Sequence, residues 1–201
     1  MSKILVWDWP VRLGHWLMVG GFALAWLTSE SESLALVHAG AGATVIAVAA
    51  FRVLWGLWGT RYARFGDFVQ GPRAVASYLR SLVGAAPQNP VGHNPAGGWA
   101  IVALLGLALA TGATGWMNYA DLGGHWLEEL HEGLAASMLA VVAVHVLGVI
   151  SGSLMHKENL VRAMVTGRKD GEAALAIPSA RPLAALLLLV WVAAAGWVIV
   201  T

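Results

Sequence analysis

Cysteine is absent from the 201 residues. The chain can therefore form no disulfide, hold no iron–sulfur cluster on thiolates and attach no haem through a CxxCH motif. Charge is scarce as well: 11% of residues are Asp, Glu, Lys or Arg, against 58% hydrophobic and a mean hydropathy of +0.69. That balance excludes an ordinary soluble domain and points to an integral membrane protein. No nucleic-acid partner is expected; the net charge of +1 says nothing by itself, but its distribution does.

A third shortage is local. Apolar stretches at 11–28, 34–57, 98–119, 127–154 and 182–201 each approach the roughly 20 residues that a spanning helix needs. The loops after the first and third hold Glu30, Glu32, Asp121, Glu128, Glu129 and nearby Glu132, with no Lys or Arg. The twelve basic residues, from Lys3 and Arg12 through Arg52 and Arg61 to Lys169 and Arg181, all fall on the other side. By the positive-inside rule that side is cytoplasmic, which predicts a multi-pass protein with its N-terminus inside and its C-terminus outside. Ala23-Leu24-Ala25 resembles a signal-peptidase site, but the first stretch is expected to be retained as a helix.

What the chain does have is histidine inside these apolar runs. His131 and His145 both lie in the fourth stretch, about four helical turns apart. On an α-helix that spacing is about 21 Å of rise and only about 40° away from facing the same way. His38 opens the second stretch near the outer surface, and His15 lies near the cytoplasmic end of the first. Depth thus pairs His38 with His131 and His15 with His145. Two imidazoles at one depth suit the two axial positions of a six-coordinate haem, held noncovalently as b-type because cysteine is missing. The competing reading of any one of these histidines is polar glue between helices. A bare metal ion is disfavoured because no carboxylates or thiolates converge on them.

Other polar residues fit around these pairs. Arg12 shares a helical face with His15, and Arg52 follows His38 by the same offset that separates His131 from His145. Both arginines therefore suit the propionates of the inner haem. A snorkelling anchor is the alternative for Arg52. Ala39-Gly40-Ala41-Gly42-Ala43 would let a helix or a flat ring approach the backbone. FVQGPRAVASYLRSLV, in the loop 58–97, reads as an amphipathic helix on the membrane surface, and HKENLVRAMVTGRK as a second such piece. His93 and Asn94, in the turn GHNPAGG, are polar groups at the inner interface, either solvated or in contact with a quinone. His156 reads as interfacial, and the third and fifth stretches as walls of the bundle.

VWDWPVRLGHW, FRVLWGLWGTRYARF, GHNPAGG and VHVLGVISGSLMHKENLVRAMVTGRK resemble the bacterial dihaem cytochrome b family. That group includes bacterial cytochrome b(561) and the cytochrome b subunits of nickel–iron hydrogenases. The resemblance runs from residue 6 to about 170 and places His15, His38, His131 and His145 where the family carries its haem ligands. It implies an all-α, four-helix bundle with two b haems over residues 1–170 in the bacterial inner membrane. It further implies electron transfer between an outer redox protein, such as a cytochrome c or a hydrogenase-type subunit, and quinone. Residues 171–201, a linker and an additional C-terminal helix, depart from that pattern and leave a homo-oligomer open. A self-contained oxidoreductase for a small molecule such as superoxide, and a haem-free proton-relay channel, are the competing functions. The acidic outer loops favour a partner with a basic docking patch.

Overall fold

The first long helix starts where Asp8 can cap it. In the computed structural model, which describes residues 2–84 and 87–200, Asp8 Oδ1 accepts the Val11 N–H at 2.9 Å, and Pro10 sits in the first turn, where no amide is needed. Strand β1 (Ser2–Leu5) precedes helix α1 (Trp9–Thr28). A tight turn leads to α2 (Ala35–Trp58), followed by the single turn α3 (Phe65–Phe68) and the surface helix α4 (Pro72–Leu82). Asn94 caps α5 (Pro95–Tyr119), and α6 (His125–His156) runs for 32 residues until Lys157 leaves it in the left-handed conformation. Helix α7 (Leu160–Thr166), strand β2 (Arg168–Gly171) and α8 (Pro182–Val200) complete the order.

Each apolar stretch of the sequence is thus a helix, with ends that agree to within three residues; Thr201, at the end of the last stretch, lies outside the described residues. Among the described residues four helices, built on α2, α5, α6 and α8, are long and apolar enough to cross a membrane. Although α1 has the length, at 20 residues, Arg12 and His15 lower its hydropathy and it is not among the four. Leu147, Leu154, Leu183 and Leu187 are all more than 60% exposed, a pattern costly in water and free in lipid.

Helix α2 is central. It lies against α1 on one side and α5 on another, while α8 crosses it, and α6 packs on α5. Trp191 of α8 donates to the Ala47 carbonyl at 2.9 Å, and Tyr119 of α5 donates to the Ile199 carbonyl at 3.1 Å. Between α2, α5 and α6 the buried core is Val45, Ala49, Leu105, Ala108 and Met138, joined by Met18 and Phe22 of α1.

The basic residues gather at one end on a folded platform. Strands β1 and β2 pair antiparallel, Ser2 opposite Gly171 and Leu5 opposite Arg168. This short sheet, unanticipated from the sequence, runs across residue 170 and ties the N-terminus to the segment before α8. Ile4, Val6, Trp7, Val11, Ala63 and Ala163 form its core. Asp8 is its polar centre: fully buried, it also accepts from Trp55 Nε1 at 3.0 Å and from Thr60 Oγ1 at 2.7 Å. The cap of α1 is therefore bonded to the end of α2. Lys169, 4% exposed, pairs with Glu158 at 3.2 Å.

Removing the Asp8 carboxyl leaves two side-chain donors buried without an acceptor. Asp8→Ala is expected to cost roughly 2–4 kcal/mol, read as a lowered melting temperature in detergent, with Asp8→Asn losing less because its Oδ1 keeps the cap. Equal loss in both variants would contradict the capping role.

Candidate functional site

The acidic end holds the first pair of imidazoles. His38, in the first turn of α2, has its Nδ1 2.9 Å from the carbonyl of Ala25 in the last turn of α1. His131, in the second turn of α6, has its Nδ1 2.9 Å from the carbonyl of Thr111 in α5, with Thr114 Oγ1 at 3.2 Å. A carbonyl only accepts, so in both rings Nδ1 carries the proton and Nε2 keeps its lone pair. The two ring centres are 6.2 Å apart, with the planes at 74°.

At the basic end His15 of α1 faces His145 of α6, ring centres 6.4 Å apart and planes at 57°. Trp16 meets His15 edge-on at 5.1 Å. A metal–imidazole nitrogen bond of about 2.0 Å sets the centres of two trans imidazoles about 6 Å apart, so each pair has the span of one six-coordinate metal. Among the described residues no three His, Asp or Glu side chains converge to hold a bare ion. Gly42, one turn past His38, and Gly148, just past His145, both border open space.

Both arginines predicted beside the basic-end pair are anchored to the platform. Arg12 donates through Nη2 to the Val165 carbonyl and lies over the Trp9 ring at 4.1 Å. Its Nε is buried without a partner, a donor suited to an anionic group such as a propionate. Arg52 donates through Nη1 to the Ala63 carbonyl at 2.9 Å and lies 5.6 Å from the rings of both Phe65 and Phe68. Gly56 makes this possible, since any Cβ there would sit 2.1 Å from the Phe65 ring. Both arginines are held at the basic end of the helices that carry His15 and His38.

His93 and Asn94 part company. Asn94 Oδ1 accepts the Gly97 N–H at 2.7 Å, so its oxygen is committed to capping α5. The His93 ring lies between Trp7 and Phe68, at 4.5 and 4.7 Å, with Nδ1 buried and unpartnered. Burial, then the positive charges of Arg52 and Lys169 and the nearby His145 and His15, push its pKa down to about 3. The sequence reading missed Asp8, Trp55 and Thr60, which hold this end together. The Asp-x-Pro order of VWDWP was the available signal for the cap.

A bundle of long apolar helices carrying facing imidazoles with free Nε2 lone pairs belongs among membrane haem proteins. The sequence model of the prokaryotic cytochrome b561 family matches residues 6–167. The chain belongs to that family, which implies the binding of haem b. No curated protein and no solved structure matches the chain.

With so low a pKa, His93 is neutral throughout the physiological range. Nitrogen-15 NMR of labelled histidine should show no protonation of this ring between about pH 5 and 8. A titration near the ordinary value of about 6.5 would place the ring in water and contradict its burial.

Proposed function

We propose that the protein is an integral-membrane dihaem cytochrome b of the bacterial inner membrane. It carries electrons between a redox protein at the acidic, periplasmic end and quinone at the basic, cytoplasmic end. The N-terminus is cytoplasmic and the C-terminus periplasmic, with α1, α2, α5 and α6 enclosing the haems and α8 an additional spanning helix outside them. One observation carries the reading: His131 and His145, at two levels of α6, each face an imidazole from another helix, at 6.2 and 6.4 Å.

In this reading His38 with His131 would hold one haem, and His15 with His145 the other. The bound haems supply one-electron redox chemistry within the apolar bundle. Protein groups do the rest. The carbonyls of Ala25 and Thr111 hold two of the ligands in the tautomer that leaves Nε2 free. Met138, 3% exposed and midway between the two α6 histidines, helps seal the layer between the pairs against water. Arg12 and Arg52 place positive charge at the basic end, where it offsets propionates. Support for a quinone contact in the 93–94 turn comes from the unpartnered His93 Nδ1. Asn94 is secondary there, because its oxygen is bonded.

At the acidic end Glu30, Glu32, Glu128 and Glu129 are exposed, and His125 is paired with Glu128 and Glu129, at 3.1 and 3.5 Å. This surface favours a protein donor with a basic docking patch over an anion such as superoxide.

The ligand assignment is tested by haem content. His38→Ala should retain one haem per chain, with an unaltered absorbance spectrum for the one remaining. Loss of both haems from folded protein, or retention of both, would contradict the pairing.

A further inference from the structure

The two imidazole pairs are not held alike. At the acidic end both rings donate Nδ1–H to a backbone carbonyl, His38 to Ala25 and His131 to Thr111, each at 2.9 Å. At the basic end neither His15 nor His145 has a hydrogen-bond partner among the described residues; their ring contacts are with each other and with Trp16, and His93 lies nearby. A hydrogen bond from Nδ1 to a carbonyl raises the basicity of the opposite nitrogen, and a more basic axial ligand favours ferric over ferrous iron.

The contact at His131 is set by Gly115. A Cβ at that position would lie 2.8 Å from Cε1 and 3.2 Å from Nδ1 of the His131 ring, so only glycine lets the ring lie flat on α5 within reach of Thr111. Surrounding charge works in the same direction. Arg12 and Arg52 are at the basic end, and Lys169, paired with Glu158, is on the platform there; Glu128, Glu129 and Glu132 open α6 at the acidic end. Positive charge favours the reduced haem and negative charge the oxidised one.

We infer that the carbonyls of Ala25 and Thr111, with Gly115 holding the His131 ring against the second, tune the acidic-end haem to a lower reduction potential than the basic-end haem. This rests on the dihaem reading above. Gly115 is a positioning residue: it acts on the iron only through His131. The consequence is a direction. A single electron runs downhill from the acidic end to the basic end, so the gradient built into the ligands suits an electron donor outside and an acceptor such as quinone inside.

Spectroscopic redox titration of the purified protein tests this. His15→Ala should keep only the acidic-end haem and His38→Ala only the basic-end haem. The haem left in His15→Ala should be at least tenfold harder to reduce, about 59 mV for one electron. Equal or reversed potentials overturn the inference. Gly115→Ala should retain both haems and raise the lower potential while leaving the upper unchanged. A shift in the upper potential instead, no shift at all, or loss of the haem would overturn the tuning role of Gly115. The dihaem reading fails separately, if the unsubstituted protein carries fewer than two haems.

Discussion

An imidazole inside a bilayer has two ring nitrogens to satisfy and no water to satisfy them. The bundle solves this differently at its two ends, and much of its geometry follows. At the acidic end the last turn of α1 offers the Ala25 carbonyl, which also accepts from Thr28 Oγ1 at 3.3 Å. The ring of His38 takes it, which fixes both the tautomer and the approach of α2 to α1. His131 finds its acceptor in mid-helix, where the Thr111 carbonyl shares its lone pairs between the helix and the ring. In each case one nitrogen is tied to backbone, and the other is left facing a second imidazole.

The basic end is organised by a different constraint, the burial of a carboxyl group. Asp8 collects an amide, an indole and a hydroxyl from three places in the chain. Those bonds join the start of α1 to the end of α2 and the loop beyond it, and the same loop supplies the Ala63 carbonyl that anchors Arg52. The small sheet then brings β2 beside the N-terminus, and α7, just before it, supplies the Val165 carbonyl for Arg12. Packing of the platform therefore determines where positive charge sits relative to His15 and His145.

Much of this was legible in the sequence because helical periodicity is rigid. A spacing close to a whole number of turns repeats a face within one long apolar run, so His131 and His145 declared both their common direction and their separation. The expected pairing with His15 and His38 followed from depth; in the fold the rings of His15 and His145 are 6.4 Å apart and those of His38 and His131 6.2 Å. Features that depend on contacts between distant segments were not legible. The β1–β2 pairing involves two very short strands with no alternating pattern, so nothing in SKIL or RKDG announces a partner at the far end of the chain. Asp8 was missed because its Trp55 and Thr60 donors lie far downstream, at the end of α2 and just past it. Asn94 drew attention as a polar group in the turn, yet its oxygen proves to be an N-cap, the commonest use of Asn before Pro at a helix start. The carbonyl partners of His38 and His131 were invisible for a simpler reason: every residue has a carbonyl, and only the fold selects which one a ring can reach.

The central claim is that two imidazole pairs each hold one haem with both axial positions filled. Haem content per chain, measured together with low-temperature electron paramagnetic resonance of the oxidised protein, examines it most directly. Two haems per chain, both low-spin ferric with bis-imidazole g-values, is the predicted result. A single haem, or a high-spin ferric signal of full intensity showing an open axial position, would contradict it.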